Sequence, residues 1–296
     1  MAQLLELVLA LMLLTCGVCI GWRRWVWPSR GQLDHQATGM LALAILAVVG
    51  GAIGSPFWWR DDPNSFSWML PPLAARLLGA AGAAFALTGC YALEHRSERL
   101  VRAYIALLAV YLTPLVIVIL MFHLDRFNWH APITYAFFAI SGGMALAAIW
   151  HLGRGTTLGA NVAAAAEQTV PPMVRCWLWV VAIGVGLWGI SLFVYPTFPW
   201  PELFIWPQDE LSSRLIAAML LTLATAAVLG LQSTDRARMS LWMFTAYGTG
   251  AAAACLWTAI GGKPVPASYT GAFSGLALGS IFCLLCLRRE SIIVGQ

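Results

Sequence analysis

One nine-residue pattern occurs twice in this chain and decides the fold that we predict. It is Trp68-Met-Leu-Pro-Pro-Leu-Ala-Ala-Arg76 in the first half and Trp206-Pro-Gln-Asp-Glu-Leu-Ser-Ser-Arg214 in the second, 138 positions later. Each copy begins with Trp, ends with Arg and precedes a long run of Leu, Ala and Gly. Matching motifs that keep one order at a nearly constant offset indicate an internal duplication. Three further pairs follow at offsets of 137, 136 and 134: Glu98-Arg99 with Asp235-Arg236, Tyr111-Leu-Thr113-Pro114 with Tyr247-Gly-Thr249-Gly250, and Pro132-Ile-Thr134-Tyr135 with Pro266-Ala-Ser268-Tyr269.

The composition places the chain in a membrane. Of the 296 residues, 60% are hydrophobic and 10% are charged, whereas a soluble domain carries about 25% charged residues. A helix needs roughly 20 apolar residues to cross the hydrocarbon core. We therefore predict an all-α integral membrane protein with nine transmembrane helices. The nine stretches are 4–22, 38–58, 71–94, 100–122, 132–152, 174–195, 212–232, 239–261 and 267–287.

The repeat divides these helices into one plus four plus four. Because each unit has an even number of helices, corresponding helices point the same way, and we expect a pseudo-twofold axis along the membrane normal. Small residues such as Gly271, Gly275 and Gly279 predict close packing between helices. The predicted boundaries are 1–30 for the extra helix and its anchor, 38–152 for the first repeat, 153–173 for a linker with a short helix at 160–168, 174–287 for the second repeat, and 288–296 for the tail.

Basic residues predict the orientation. Of the seventeen Lys and Arg residues, twelve fall in loops on one side of the predicted membrane, and three (Arg60, Arg126 and Lys263) fall on the other. Loops rich in Lys and Arg stay in the cytoplasm, so the N-terminus is expected outside and the C-terminus inside, in the cytoplasmic membrane of a bacterium. The net charge of +4 is thereby explained by topology, and we expect no nucleic-acid partner.

Arg76 and Arg214 are candidates for an anion site. Each is expected about one turn inside the outer end of its helix, where a charge needs a partner or a route to water. Together with Trp68 and Trp206 they are predicted to bind a lipid phosphate or an anionic substrate. The alternatives are snorkelling to the headgroups and salt bridges to nearby carboxylates, such as Asp61, Asp62, Asp209 and Glu210.

A second candidate site lies at mid-membrane, where Tyr111 and Thr113 correspond to Tyr247 and Thr249. Pro114 and Gly250 are expected to interrupt the two helices, and interruptions at matching places in two repeats are typical of a transporter's central site. Two phenols and two hydroxyls would line a polar, uncharged cavity. Alternatively, neighbouring groups satisfy the break locally.

Metal and cofactor motifs are weak. Cys16 with Cys19, and Cys283 with Cys286, have the i, i+3 spacing that places each pair on one helix face. Four thiols converge on a metal only if the first and last helices touch; otherwise they are small hydrophobic residues, and we expect no metal. The five histidines lie in loops or at helix ends, which disfavours a membrane haem. The sequence identifies no cofactor.

Three functions remain. The first is a non-catalytic membrane subunit or scaffold that packs with lipids and other proteins, and its Trp-rich outer loops at 57–68 and 195–206 form either an aromatic belt or a docking surface. It is favoured because no ionisable residue is expected deep in the bilayer. The second is a transporter or lipid-handling protein that uses the mid-membrane site. The third is an enzyme at the outer face that uses His123, His130, Asp61 and Asp62.

Overall fold

The computed structural model is all-helical over the residues that it describes, which are 2–31, 33–61, 68–154, 169–197, 200 and 209–294, with side chains from 8 to 288. The described ranges contain nine long helices, and each coincides with one predicted stretch. The helices are α1 Ala2–Gly21, α2 His35–Trp59, α3 Pro72–Glu94, α4 Glu98–Phe122, α5 Pro132–Gly153, α6 Pro172–Val194, α7 Glu210–Gly230, α8 Thr234–Ile260 and α9 Ala267–Val294.

Eight of these helices are long and apolar enough to cross a membrane, and α8 is not. The prediction of nine transmembrane helices is therefore confirmed for eight of them, and for α8 it stays a prediction. This helix opens with the polar run 234–238 and continues with Thr, Gly and Ala. α3, α7 and α9 all pack against it and bury about half of its residues, while Leu256, Trp257 and Ile260 remain exposed near its end.

Local chemistry explains where several helices begin. Asp34 caps α2 by accepting a hydrogen bond from the amide of Ala37 at 2.6 Å, and Asp209 and Ser233 cap α7 and α8. Side-chain oxygens at this position satisfy amide donors that lack a partner within the helix. Three other helices, α3, α5 and α6, start at a proline, whose missing amide hydrogen costs nothing in the first turn.

Four helices, α3, α4, α7 and α8, form the centre of the bundle. α3 packs against α8, and α4 packs against α7. Each of the four also has a neighbour on the outside: α2 covers α3, α5 covers α4, α6 covers α7 and α9 covers α8. α1 packs on α2, at the edge of the bundle.

Small residues allow close contact at these interfaces. A Cβ added to Gly51 of α2 would lie 2.5 Å from the carbonyl oxygen of Gly82 in α3, so only glycine fits there. Gly279 of α9 packs likewise against the Trp177 ring of α6. The prediction of close packing is wrong for Gly271 and Gly275, because nothing lies within 4 Å of an added Cβ at either position; their face of α9 points away from the bundle.

The bundle has two chemically distinct ends. At the basic end, where α1, α3, α5, α7 and α9 finish, arginines tie helix termini together. The Arg24 guanidinium lies 2.7 Å from the Glu94 carboxylate, and Arg102 donates to the Leu152 carbonyl oxygen at 2.8 Å. The opposite end, called the far end below, holds Arg76 and Arg214. The predicted short helix at 160–168 lies outside the described residues.

Candidate functional site

Arg214 forms the best-defined polar contact at the far end. It lies in the second turn of α7, and its Nη1 is 2.8 Å from Nε2 of His123, which directly follows α4. The same nitrogen is 3.1 Å from the Glu210 carboxylate, one turn earlier in α7. The guanidinium carbon lies 5.2 Å from the centre of the Phe122 ring. Arg214 is therefore engaged by a carboxylate, an imidazole and an aromatic face, and its side chain is only 14% exposed.

The contact determines the protonation of His123. A guanidinium can only donate hydrogen bonds, so Nε2 of His123 must accept, and the ring is neutral with its proton on Nδ1. Burial lowers the pKa of His123, and the Arg214 charge lowers it further, while Glu210 acts in the opposite direction. The imidazole is 5% exposed. It therefore acts as a buried, neutral hydrogen-bond acceptor at neutral pH.

Arg76 makes the corresponding contact in the other pair of central helices. Its Nη1 lies 3.5 Å from the hydroxyl of Thr258, near the end of α8. Burial raises the pKa of the Asp61 carboxyl, and the nearby charges of Arg76 and Lys263 lower it by less. Asp61 has a positive φ of 57°, a conformation that costs energy for a residue with a Cβ. Arg76 thus links α3 to α8, as Arg214 links α7 to α4.

The predicted anion site keeps its two arginines but not its symmetry. Trp68 does not face a ligand: it is buried, and its ring packs on Phe127 at 4.8 Å and on Phe137 at 5.2 Å. Trp206 and Asp62 lie outside the described residues. Anion binding by Arg76 and Arg214 stays a prediction. The Glu210 carboxylate already forms a salt bridge with the Arg214 guanidinium, in agreement with the salt-bridge alternative.

The mid-membrane candidates are packed unevenly. Tyr111 of α4 and Tyr247 of α8 are both buried and lie close enough to interact electrostatically. Tyr111 packs on Phe85 with ring centres 5.1 Å apart, and Tyr247 packs on Phe273 at 5.6 Å. Thr249 is exposed on the outside of α8, so it does not join them.

The helices are not broken at these motifs. Both α4 and α8 are continuous through them, so the predicted interruption is wrong. Pro114 removes one backbone amide donor from the hydrogen bonds of a long helix. Gly250 is a point of close contact with Ala80 of α3. The buried Thr113 hydroxyl has no hydrogen-bond partner among the described residues, which is the one feature here that a polar ligand or water would explain.

The cysteines do not form a cluster of four. Cys16 and Cys19 are exposed on α1, which packs on α2, whereas Cys283 and Cys286 belong to α9, which packs on α8 and α6. Over the part of the chain that the structure describes, no group of three or more His, Cys, Asp or Glu residues is arranged to hold a metal ion. The four thiols therefore belong to two separate places in the bundle.

The basic end carries an open cleft of about 380 Å³ between the start of α2 and the end of α5. The Arg154 guanidinium stacks on the Trp150 ring at 3.7 Å, and Gln36 donates to the Arg154 carbonyl oxygen at 3.1 Å. This cleft was not predicted from the sequence. Its lining residues are Asp34, His35, Gln36, Trp150, His151 and Arg154.

Sequence analysis also missed the partners of the two arginines, since His123 was considered for an enzyme site at the outer face and not as a partner of Arg214. The repeat itself contained the signal. The offset that relates Tyr111 to Tyr247 also relates the end of α4 to the end of α8, where Thr258 lies. The helix ends that correspond under the predicted repeat were therefore places to look for partners of the two arginines. Comparisons with protein-family models, with curated proteins and with solved structures find no match to this chain.

Proposed function

We propose that this multi-pass membrane protein is a non-catalytic subunit or scaffold, built from two four-helix halves that pack into a solid centre. The first half is α2–α5, the second is α6–α9, and α1 is an addition to the first. In this proposal α8 also crosses the membrane, because only an odd number of spans keeps the arginine-rich loops on one side. The basic end then faces the cytoplasm, and the far end faces outward.

The pairing of helices supports the two-half organisation. Under the proposed duplication α2 corresponds to α6, α3 to α7, α4 to α8 and α5 to α9. The contact of α3 with α8 then has its counterpart in the contact of α7 with α4. The arginines follow the same rule, because Arg76 reaches from α3 to α8 and Arg214 reaches from α7 to α4. Two parallel repeats related by an axis along the membrane normal would produce this pattern.

The close contact between α3 and α8 is the observation that carries the scaffold proposal. A Cβ added to Gly250 would lie 2.7 Å from the Cβ of Ala80 in α3. Two residues earlier in α8, a Cβ on Gly248 would lie 2.8 Å from backbone atoms of Phe273 and Ala277 in α9. These contacts hold α8 closely against α3 and α9 next to Tyr247, where a transporter would need a passage. Packing of this kind favours a rigid structural role.

The outer surface offers places for lipids and protein partners. Gly271 and Gly275 present an open stripe on α9, and small residues at such positions let another helix approach closely. Tyr195 and Trp200 are 63% and 59% exposed near the end of α6, where aromatic side chains anchor a protein at the lipid headgroups or contact a partner. Trp58 and Trp59 belong to the last turn of α2 and are half-buried.

Thiol labelling tests the proposal. In a chain whose native cysteines are replaced by serine, Thr113→Cys is exposed to a small water-soluble thiol reagent in intact membranes. The matched control is Arg126→Cys, at an exposed position of the far end. A scaffold with a solid centre predicts that the control reacts and that position 113 stays unlabelled. Labelling at 113 at a rate similar to the control would refute it.

The transporter is the second candidate, and one observation favours it. The Thr113 hydroxyl is buried without a hydrogen-bond partner among the described residues, and such a group costs about 1–3 kcal/mol unless water or a ligand satisfies it. A transporter predicts that position 113 becomes reactive in the labelling experiment. It also predicts that Tyr111→Phe combined with Thr113→Val alters the protein's activity while leaving its folding intact.

A further inference from the structure

The contact between His123 and Arg214 joins α4 and α7, two of the four central helices, at the far end of the bundle. Nη1 of Arg214 donates to Nε2 of His123 at 2.8 Å, and the imidazole is 5% exposed. Most buried histidines pair with a carboxylate or a backbone carbonyl. Here the partner is a permanent cation, and the pair holds only while the histidine carries no charge.

Protonation of His123 would remove the bond. The proton would occupy Nε2, which is the lone pair that accepts from Arg214, so both partners would become donors. It would also place two positive charges within hydrogen-bond distance in a site with little water. Like charges at this separation repel by several times the thermal energy when they are partly buried. An imidazolium and this contact therefore exclude each other.

We propose that the His123–Arg214 contact is a proton-sensitive fastening between α4 and α7, closed at neutral pH and released in acid. Its counterpart, Arg76 with Thr258, joins α3 to α8 through a hydroxyl that does not titrate. Acid would therefore release one side of the far end and leave the other fastened. The inference does not depend on the scaffold proposal, because it rests on two side chains and the helices that carry them.

The surrounding charges set the direction of the effect. His123 faces Arg214 and Glu210 of α7, and Asp125 and Arg126 of the turn that follows it. Burial, Arg214 and Arg126 lower the pKa of His123, and Glu210 and Asp125 raise it by less. Because the contact lowers the pKa of His123, the histidine binds a proton more readily when the His123–Arg214 contact is broken than when it is formed. The fastening is therefore complete above about pH 6.5, the ordinary histidine value, and is lost as the pH falls below it.

Two measurements on the full chain in detergent micelles or nanodiscs test this proposal. The first compares the Tm of wild type, His123→Gln and His130→Gln at about pH 7.5 and about pH 5. Glutamine keeps an acceptor for Arg214 but does not titrate, and His130 is an exposed histidine at the same end. We expect wild type and His130→Gln to lose several degrees more than His123→Gln on acidification. Equal losses in all three proteins would overturn the proposal.

The second measurement requires no variant at position 123. Nitrogen-15 NMR of labelled histidines, assigned with variants at the other four positions, reports which ring nitrogen of His123 carries the proton. We expect Nδ1–H at neutral pH and a titration midpoint below about 6.5, the ordinary histidine value. A neutral ring protonated on Nε2, or a midpoint at or above about 6.5, would show that no such fastening exists. This result stands even where His123→Gln fails to fold.

Discussion

Replacement of Gly250 by alanine adds one methyl group at a close contact between α3 and α8. Its Cβ would lie 2.7 Å from the Ala80 Cβ and 3.3 Å from the Ala80 Cα, whereas carbon atoms in favourable contact are about 3.5–4.0 Å apart. α3 and α8 would have to separate by about 1 Å. Both helices are central, so their neighbours would move with them.

The expected cost follows from this geometry. Forcing an extra methyl into a packed core destabilises a protein by about 1–3 kcal/mol. Alanine also favours the helix over glycine by about 1 kcal/mol, a gain that would mask part of the clash. Gly275→Ala in α9 supplies the matched control, because it gains the same helix preference and nothing lies within 4 Å of its new Cβ. The difference between the two variants, about 1–3 kcal/mol, isolates the clash.

Ala80→Gly should rescue Gly250→Ala, since it removes the atom that the new methyl meets. The double variant should be more stable than the sum of the two single effects predicts, with a coupling of about 1–3 kcal/mol. The assay is reversible unfolding in mixed micelles by titration with sodium dodecyl sulfate, followed by circular dichroism. If Gly250→Ala is as stable as Gly275→Ala, or if Ala80→Gly gives no rescue, the contact between α3 and α8 is not as close as described.

Three further predictions concern the far end. Arg214→Gln should lower the free energy of unfolding by about 1–3 kcal/mol, because His123 loses its donor and Glu210 loses its partner. Arg126→Gln, at an exposed position, should change the free energy of unfolding by less than about 0.5 kcal/mol. Equal effects of the two substitutions on unfolding in micelles would contradict the burial of Arg214. Trp68→Ala should lower the free energy of unfolding by about 3–5 kcal/mol, because it removes a ring from a buried aromatic cluster. Trp129→Ala should lower it distinctly less, because Trp129 is half-exposed. A larger loss for Trp129→Ala than for Trp68→Ala would argue against that cluster. In a chain without native cysteines, Lys263→Cys should react with a membrane-impermeant thiol reagent added outside intact cells; if it reacts only after the cells are permeabilised, the proposed orientation is inverted.

The sequence predicted the helices well because lipid leaves few options. A chain this apolar must satisfy its backbone within helices, so the nine stretches coincide with α1–α9 to within a few residues at most ends. α8 is the exception, because its composition is less apolar than that of the other eight helices. Its 27 residues include the run Thr234–Arg238. Sequence length detects such a helix, but its apolar content does not.

The candidate sites were less predictable, because they depend on which helices meet. The predicted repeat pointed to Arg76 and Arg214, which are half-buried and contact Thr258 and His123 in the structure. It did not show that each arginine reaches a helix of the other half. Pattern alone also placed Thr249 beside Tyr247 in a cavity, whereas the helical turn of about 100° per residue directs it outward. The partners of a side chain depend on how helices rotate against one another, and a motif does not encode that.

Superposition of the two halves in an experimental structure, determined in lipid nanodiscs, tests the central claim most directly. The account predicts that α2–α5 superpose on α6–α9 after a rotation of about 180° around the membrane normal, with the Arg76 and Arg214 side chains exchanged. A rotation around an axis in the membrane plane, or four helices that do not superpose at all, would contradict the duplication and the paired contacts that follow from it.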